Sequence, residues 1–258
     1  MKQNKPRILF YDIETSLQPV LVFQLANNDW ISPESILSER HLVSVCWKWE
    51  GENKVHSVSL IDDLKRFKKD PHDDKFVVQE FYKVLMEADV LVAHNGDKFD
   101  LPYIKTRMLF HGLPPLPPIS TIDTYKIAKS QFMLNSNKLN YLGHLLKVGK
   151  KIETSQGLWM RVFQGDPKAV KEMVEYNKGD VELLERVFLK LRPYCANHIN
   201  RELFGGIGCP RCGSSDIQSR GTHKAITKTY QRFQCQSCFG WFKLLRAEKE
   251  PSTKYKVL

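Results

Sequence analysis

The stretch RILFYDIET, residues 7–15, combines an apolar, β-prone run with two carboxylates at its end. The run over residues 7–13 predicts a buried strand. Because side chains alternate along a strand, Asp12 and Glu14 share one face. Two neighbouring acids are costly to bury unless something neutralises them, and a divalent cation does so. A strand end exposed to solvent would explain the same pair, so this motif alone leaves both interpretations open.

A second acidic motif, NGDKFD at residues 95–100, follows an apolar strand predicted over residues 89–93. Asp100 therefore falls in the first turn of the next helix, at the carboxyl end of the sheet, where open α/β folds place their ligands. Asp97, which lies in the turn, is the alternative ligand. The helix dipole alone would also favour an acid at the position of Asp100.

A third acid lies on a long helix predicted to start at Asp166 and Pro167 and to end at Arg192. An Asp at the N-cap followed by Pro at the first helical position is a typical helix start. Tyr176 and Asp180 lie one helical turn apart on the same face, and Asp180 falls beside the apolar stripe. A buried Asp needs a cation or hydrogen-bond donors, whereas a frayed helix would leave it exposed.

The remaining patterns alternate between strands and helices, which predicts an α/β domain over residues 1–204. Gly205, Gly206 and Gly208 form a flexible joint to a small, β-rich module over residues 205–258. The further predicted strands cover residues 42–49, 54–60 and 119–123, and the further predicted helices cover residues 76–87, 99–111 and 139–147.

The net charge of +10 is concentrated at one end, because residues 206–258 carry ten Lys and Arg against three Asp and Glu. A basic module suggests a polyanionic partner, although solubility alone is the alternative. The composition, 42% hydrophobic and 26% charged, excludes a disordered chain. The sequence contains neither an apolar run of the roughly 18 residues that cross a bilayer nor a signal-peptide pattern, so we expect a soluble, cytoplasmic protein.

Four of the six cysteines form two C-x2-C pairs, Cys209 with Cys212 and Cys235 with Cys238, separated by 22 residues. In a cytosolic chain such pairs indicate a metal site rather than disulfides, and the spacing is close to that of a four-cysteine zinc site. With all four positions filled by thiolates, the zinc would be structural. A module this small would fold poorly without it.

The predicted strands of this module also carry aromatic and basic residues. Alternation places Tyr230 with Arg232 outward, and Trp241 on one face with Lys243. Such a face suits base stacking and phosphate contacts, which predicts nucleic-acid binding. The alternatives are that the aromatics form the small core, or that the module docks a protein. The predicted contacts are Lys224, Lys228, Tyr230, Arg232, Trp241, Lys243 and Arg246.

Three motifs, YDIET at residues 11–15, HNGDKFDLPYI at residues 94–104 and YNKGD at residues 176–180, resemble the exonuclease motifs of the DEDD superfamily. Their order and spacing are similar to those of the tyrosine-bearing (DEDDy) subgroup, in particular the proofreading domain of family B DNA polymerases. The segments CPRCGS and FQCQSCF resemble zinc-ribbon knuckles. The resemblance implies a ribonuclease-H-like fold, a mixed sheet flanked by helices, followed by a small zinc ribbon.

The resemblance also implies a metal-dependent 3′–5′ exonuclease with one structural Zn²⁺. Two Mg²⁺ or Mn²⁺ ions would be held by Asp12, Glu14, Asp100 and Asp180. Asp12 would bridge both ions, and Tyr176 would orient the attacking water or the scissile phosphate. We expect Asn95 to contact nucleic acid. Asp123, at another strand end, is expected to support the site or cap a helix rather than bind an ion.

DNA is the expected substrate because the motifs most resemble the polymerase branch, and a replication or repair protein could bind through the ribbon. The alternatives are a structure-selective endonuclease or an RNA exonuclease on the same fold, and a non-catalytic nucleic-acid-binding protein. Four matched acids and a tyrosine argue against the last. The 258 residues have no room for a polymerase domain.

Overall fold

In a computed structural model, the protein is described over residues 6–22, 31–195, 198, 208–226 and 228–245. These residues fall into two compact units, one from Pro6 to Leu191 and one beginning at Arg192. The predicted boundary between residues 204 and 205 lies outside the described residues, and so does Arg246. Within the part of the chain that the structure describes, each helix is too short or too polar to span a membrane.

The first unit contains a five-stranded mixed sheet and seven α-helices among its described residues. The strands are β1 (Ile8–Thr15), β2 (Leu42–Trp49), β3 (His56–Ser59), β4 (Val90–Ala93) and β5 (Ser120–Asp123). The helices are α1 (Leu64–Lys69), α2 (Lys75–Leu85), α3 (Asp100–Phe110), α4 (Thr124–Gln131), α5 (Leu139–Leu145), α6 (Leu158–Phe163) and α7 (Pro167–Leu191). Short 3₁₀ turns cover Pro33–Ser35 and Leu60–Asp62.

The sheet has the strand order β3-β2-β1-β4-β5. β1 pairs antiparallel with β2 and parallel with β4, and β4 pairs parallel with β5. The carboxyl ends of β1, β4 and β5 therefore meet at one edge, as the sequence predicts. The predicted α/β architecture, a mixed sheet flanked by helices, is confirmed.

The central strand β1 packs helices on both faces because its side chains alternate. Phe10 contacts Phe188 of α7, with ring centroids 5.4 Å apart, and Tyr11 contacts Phe81 of α2 at 5.8 Å. Leu9, Phe10 and Tyr11 are each at most 1% exposed. The same alternation directs the even-numbered residues after Phe10 toward α7.

Most predicted elements are present, with differences at their ends. β1 continues past residue 13 to Thr15, because its pairing with β2 extends to Leu42. The strand predicted over residues 54–60 is shorter, and β3 ends at Ser59. There the Ser59 N–H and hydroxyl both donate to the Asp62 carboxylate, at 2.7 and 2.9 Å, and start a 3₁₀ turn.

Asp74, which is fully buried before α2, ties three elements together. Its carboxylate accepts two hydrogen bonds from Arg107 of α3, at 2.7 and 2.6 Å, and one from the Leu42 N–H of β2 at 2.8 Å. His111 Nε2 lies 2.6 Å from the same carboxylate. The network fixes α3, which begins with Asp100, against the strand that pairs with β1.

The second unit contains a three-stranded antiparallel sheet with the order β6-β7-β8. Its strands are β6 (Ile217–Lys224), β7 (Thr229–Cys235) and β8 (Trp241–Leu245), and a 3₁₀ turn covers Arg192–Tyr194. The predicted β-rich character of this module is confirmed.

Substituting Asp74 by Ala should strongly destabilise the first unit, because it leaves the buried Arg107 guanidinium without its carboxylate. Removing one partner of a buried ion pair costs about 3–5 kcal/mol in the free energy of unfolding. The matched control is Glu87→Ala, which breaks the exposed pair with Arg7 (2.6 Å) and should cost less than about 1 kcal/mol. Equilibrium urea unfolding measures both, and equal losses would contradict the structural role given to Asp74.

Candidate active site and four-cysteine site

Three of the predicted acids converge where β1 faces α7. Asp12 and Glu14 of β1 and Asp180 of α7 each place one carboxylate oxygen so that all three lie within 4.8 Å of one another. Alternation along β1 puts its two acids on the α7 side, and Asp180 is 1% exposed. A strand at the start of the first unit and a helix at its end thus build one acidic cluster.

The cluster is electrostatically strained without a cation. Burial raises the pKa of Asp12 well above its ordinary value, and the nearby Asp100, Glu14 and Asp180 raise it further. Burial, followed by the charge of Asp180, raises the pKa of Glu14 to about 8. Carboxyl groups perturbed in this way are protonated near neutral pH unless positive charge compensates them.

Asp100 lies beside this cluster without being within 4.8 Å of all three acids. The turn before it depends on Asn95, which has a left-handed backbone (φ 65°), and on Gly96, where a Cβ would lie 2.4 Å from Ala93 Cβ. Asp100 then opens α3 and is 4% exposed. Burial raises its pKa to about 7, while the backbone N–H groups of Asp100 and Ile13 act to lower it.

Two further acids at this edge have different partners. Asp97 accepts a hydrogen bond from Lys126 Nζ at 2.6 Å and is outside the acidic cluster. Asp123 caps α4, as predicted, because its carboxylate accepts from the Tyr125 N–H at 2.9 Å. The same carboxylate accepts from the Asn95 N–H at 2.8 Å, which holds the turn that leads to Asp100.

Sequence reasoning missed Lys151, a cation at the site. Its ammonium donates to Asp180 Oδ2 at 2.6 Å and to the Tyr176 hydroxyl at 3.1 Å. It also lies 5.2 Å from the centre of the Tyr176 ring. Nearby carboxylates raise the pKa of Lys151 although burial acts to lower it, so the side chain stays charged.

Glycines bring the Lys151 segment close to the helices. A Cβ at Gly143 would lie 2.7 Å from the Gly149 carbonyl oxygen, and a Cβ at Gly179 would lie 2.6 Å from Ile152 Cδ1. Glycine inside a helix costs about 1 kcal/mol relative to Ala, so its presence at both positions signals a close approach. That signal identifies a packed segment but not which lysine reaches the acids.

Asn177 is a second contributor that the sequence analysis missed. It is fully buried on α7, and its Nδ2 donates to Asp12 Oδ2 at 2.6 Å. This bond fixes the orientation of the Asp12 carboxylate and leaves its other oxygen toward the cluster. Among the described residues, the Asn177 Oδ1 atom has no hydrogen-bond partner.

Tyr176 lies at the rim of the cluster, one turn before Asp180 on α7. Burial raises the pKa of its hydroxyl above the usual value of 10, and the charge of Asp180 adds to this, although Lys151 acts to lower it. The hydroxyl is therefore protonated at neutral pH, and it can orient a ligand rather than take a proton.

The acidic cluster suits a hard divalent cation. All its donors are carboxylate oxygens, which are the ligands of Mg²⁺, Mn²⁺ and Ca²⁺ rather than of thiophilic metals. Asp180 Oδ1 is buried and has no hydrogen-bond partner in the part of the chain that the structure describes, which leaves it available to a cation.

A cavity of about 530 Å³ opens next to the cluster. It shares Lys151 with the acidic site and Asn95 with the turn that positions Asp100. Its lining residues are His94, Asn95, Tyr125, Lys138, Leu139, Asn140 and Lys151.

The four predicted cysteine ligands also converge. The Sγ atoms of Cys209, Cys212, Cys235 and Cys238 lie within 4.8 Å of one another. Two pairs of sulfurs are 3.7 Å apart (Cys209 with Cys238) and 3.6 Å apart (Cys212 with Cys235). A tetrahedron with Zn–S bonds of about 2.3 Å has edges of about 3.8 Å, so the sulfurs fit four-coordinate zinc.

The predicted contacts of the second unit lie on its sheet as follows. Arg232 pairs in register with Lys243, while Phe233 and Phe242 stack on the opposite face with ring centroids 5.4 Å apart. Trp241 is 49% exposed. Lys224 ends β6, Lys228 lies in the turn before β7, and both are exposed.

Comparisons with known proteins point to DNA polymerases. The chain is 26% identical over 123 residues to the catalytic polypeptide of DNA polymerase epsilon from Dictyostelium discoideum, covering 42% of this chain and 5% of the polymerase. It is 25% identical over 189 residues to DNA polymerase 1 of Saccharolobus solfataricus, covering 64% of this chain and 19% of the polymerase. The chain thus spans a fifth or less of these relatives.

A solved structure shares the fold. The family B DNA polymerase from the hyperthermophilic archaeon Pyrobaculum calidifontis matches with a TM-score of 0.54 and 20% identity, over 73% of this chain and 25% of the polymerase. The family model described as the RNase_H superfamily matches residues 38–192, a range that includes Asp100, Tyr176 and Asp180. Because this match covers more than half of the sequence, the chain belongs to the RNase_H superfamily.

Proposed function

We propose that this chain is a metal-dependent 3′–5′ exonuclease that hydrolyses phosphodiester bonds of DNA. The observation that carries the proposal is the convergence of Asp12, Glu14 and Asp180 within 4.8 Å, with Asp100 buried alongside, in a chain of the RNase_H superfamily. Similarity to proteins named as DNA polymerases favours DNA over RNA as the substrate.

The four acids would hold two Mg²⁺ or Mn²⁺ ions. The all-oxygen donor set and the raised pKa values of the carboxyl groups both support this assignment. Two such ions activate water at neutral pH and stabilise charge on the attacking and leaving oxygens of a phosphodiester. Asn177 keeps the Asp12 carboxylate in one orientation, and partners of this kind change metal affinity by about 10- to 100-fold.

Lys151 and Tyr176 act on the substrate rather than on the ions. The Lys151 ammonium and the Tyr176 hydroxyl are 3.1 Å apart at the rim of the acidic cluster. A charged ammonium and a protonated hydroxyl both donate hydrogen bonds, so the pair can hold the scissile phosphate against the carboxylate edge. The high pKa of Tyr176 excludes it as a general base at neutral pH.

The cavity beside Lys151 supports action at a chain end. Its volume of about 530 Å³ is in the range of small-ligand pockets, and it offers the ring of Tyr125 and the amides of Asn95 and Asn140. A terminal nucleotide has the free base face and sugar edge that such a pocket can contact. We assign the cavity to the 3′-terminal nucleotide.

The four cysteines would hold one structural Zn²⁺ that stabilises the second unit. The sulfur spacing supports this assignment, and four thiolates leave no open position for catalysis. This unit would help to bind the substrate through its basic residues.

The decisive assay uses 5′-labelled single-stranded and duplex DNA with Mg²⁺ or Mn²⁺. We expect a ladder that shortens from the 3′ end. Asp12→Ala or Asp180→Ala should reduce hydrolysis by more than the roughly 100-fold expected for loss of an outer partner of a metal ligand. Asp97→Ala, an acid at the same edge that is paired with Lys126, is the matched control and should retain activity. Full activity in both cluster variants would refute the proposed site, and a single internal cut would indicate an endonuclease.

Mg²⁺ binding should depend on pH, because protons compete with the ion for the cluster. The raised pKa values, about 8 for Glu14 and about 7 for Asp100, mean that both groups are largely protonated at pH 6. Affinity should therefore rise from about pH 6 to about pH 9, with protons released at the lower pH. Isothermal titration calorimetry in buffers of different ionisation enthalpy measures both quantities. Glu14→Gln should flatten the dependence, and pH-independent binding by the unsubstituted chain would contradict the prediction.

Zinc should be bound with one ion per chain and should be needed for the fold of the second unit. Metal analysis of Cys209→Ser and Cys238→Ser should show loss of the ion, with loss of β-sheet signal by circular dichroism. Cys46→Ala is the matched control, because Cys46 is a buried cysteine of the first unit whose Sγ lies 3.7 Å from the Val174 carbonyl oxygen. Retention of one zinc per chain in both ligand variants would refute the four-cysteine site.

A further inference from the structure

One face of the second unit's sheet combines aromatic and cationic side chains. We define the ribbon face by Tyr230 and Arg232 of β7 and by Trp241 and Lys243 of β8. Arg232 pairs with Lys243 across the two strands, and Trp241 pairs with Gln234, so all these side chains point to the same side. The Gln234 side chain accepts a hydrogen bond from Arg220 Nε at 3.1 Å, which adds a third cation.

The charge of this sheet is of one sign. The sequence over residues 217–245 contains five Lys and Arg and neither Asp nor Glu. Surface salt bridges normally mix both signs of charge, so an unbalanced sheet of this size suits an anionic partner.

The aromatics on the two faces have different surroundings. Phe233 and Phe242 stack on each other on the opposite face, at 5.4 Å. Trp241, in contrast, is 49% exposed on the ribbon face, where it packs too little to serve as core. The Tyr230 ring is contacted by Lys243 Nζ, 4.4 Å from its centre, which holds that ammonium in place over the ring.

The spacing of these groups matches a strand of nucleotides. Tyr230 and Gln234, the partner of Trp241, are four residues apart on β7, or about 13 Å at 3.3 Å per residue. The Arg232–Lys243 pair lies between the two rings. The order along the sheet is thus ring, two cations, ring.

We propose that the ribbon face binds single-stranded nucleic acid, with unpaired bases stacked on Trp241 and Tyr230 and backbone phosphates held by Arg232 and Lys243. Stacking on a side chain requires a free base face, which a duplex presents only at its ends. The inference deepens the proposed function, since it rests on nucleic acid being the substrate and specifies its form. It also gives the chain a means to hold the strand whose end is hydrolysed.

The test measures binding by fluorescence anisotropy, with full-length chain carrying Asp180→Ala to prevent cleavage. The probes are a fluorescein-labelled deoxythymidine oligonucleotide and a blunt duplex of the same length with a hairpin closing one end. Adding Trp241→Ala should weaken single-strand binding about 5- to 150-fold, the equivalent of about 1–3 kcal/mol per stacked base. Duplex affinity and the salt dependence should not change, and Trp241→Phe should restore most of the affinity.

The cations are tested separately from the rings. Arg232→Gln combined with Lys243→Gln should lower the slope of log K against log salt by about 1.4, because each phosphate contact to a single strand contributes about 0.7. Ile226→Ala is the matched control, since this fully exposed apolar residue lies in the turn between β6 and β7 and off the ribbon face. Metal analysis should show one zinc in every variant, which verifies that the unit is folded.

Equal weakening of single-strand and duplex binding by Trp241→Ala, or no weakening, would overturn the stacking proposal. Hydrolysis by the chain with Asp180 intact distinguishes this failure from failure of the proposed function. Metal-dependent cleavage with no effect of Trp241→Ala would overturn the ribbon proposal alone. Selective loss of single-strand binding without cleavage by any form would support the ribbon proposal and overturn the nuclease assignment.

Discussion

Repulsion between buried carboxylates is the constraint on which the first unit depends. Asp12, Glu14 and Asp180 lie within 4.8 Å of one another, and Asp100 adds its charge from the start of α3. In a buried setting such a group is stable only when it is protonated, paired or bound to a cation. Lys151 supplies one positive charge and so relieves only part of the repulsion. The remainder is what makes the cluster a strong binding site for divalent cations.

The surrounding fold holds the acids together against this repulsion. β1 lies at the centre of the sheet, and its pairing on both sides prevents the strand from sliding. α7 is held to β1 by apolar packing such as the contact of Phe10 with Phe188. The buried Asp74 network fixes α3 against β2, so Asp100 cannot move away from the cluster. Stability of the scaffold and strain at the site are therefore parts of one balance, as is common where binding groups are preorganised.

Periodic patterns made the acids predictable, and the lack of a pattern hid their partners. Alternation along β1 and the apolar stripe of α7 are local regularities, so the faces of Asp12 and Asp180 could be inferred, and α7 agrees with its predicted extent to within a residue at each end. The short helices α1, α4 and α6 were not predicted, because six to eight residues give too few repeats of an apolar pattern. Lys151 lies in an irregular segment between α5 and α6, and packing between distant parts of the chain places it beside Asp180. Asn177 lies within a recognised motif, but only the distance across to β1 reveals its bond to Asp12.

The two candidate metal sites differ in donor chemistry, and this difference lets one chain hold two kinds of ion. Zinc binds more tightly than magnesium to most sites, so affinity alone would not keep it from the carboxylates. The four cysteines present thiolate sulfurs at tetrahedral spacing, a donor set that Mg²⁺ does not use. Among the described residues, the acidic cluster offers only oxygens, without the sulfur or imidazole ligands that zinc prefers. Selectivity therefore follows from the segregation of cysteines and carboxylates into different units, which the order of the sequence already separates.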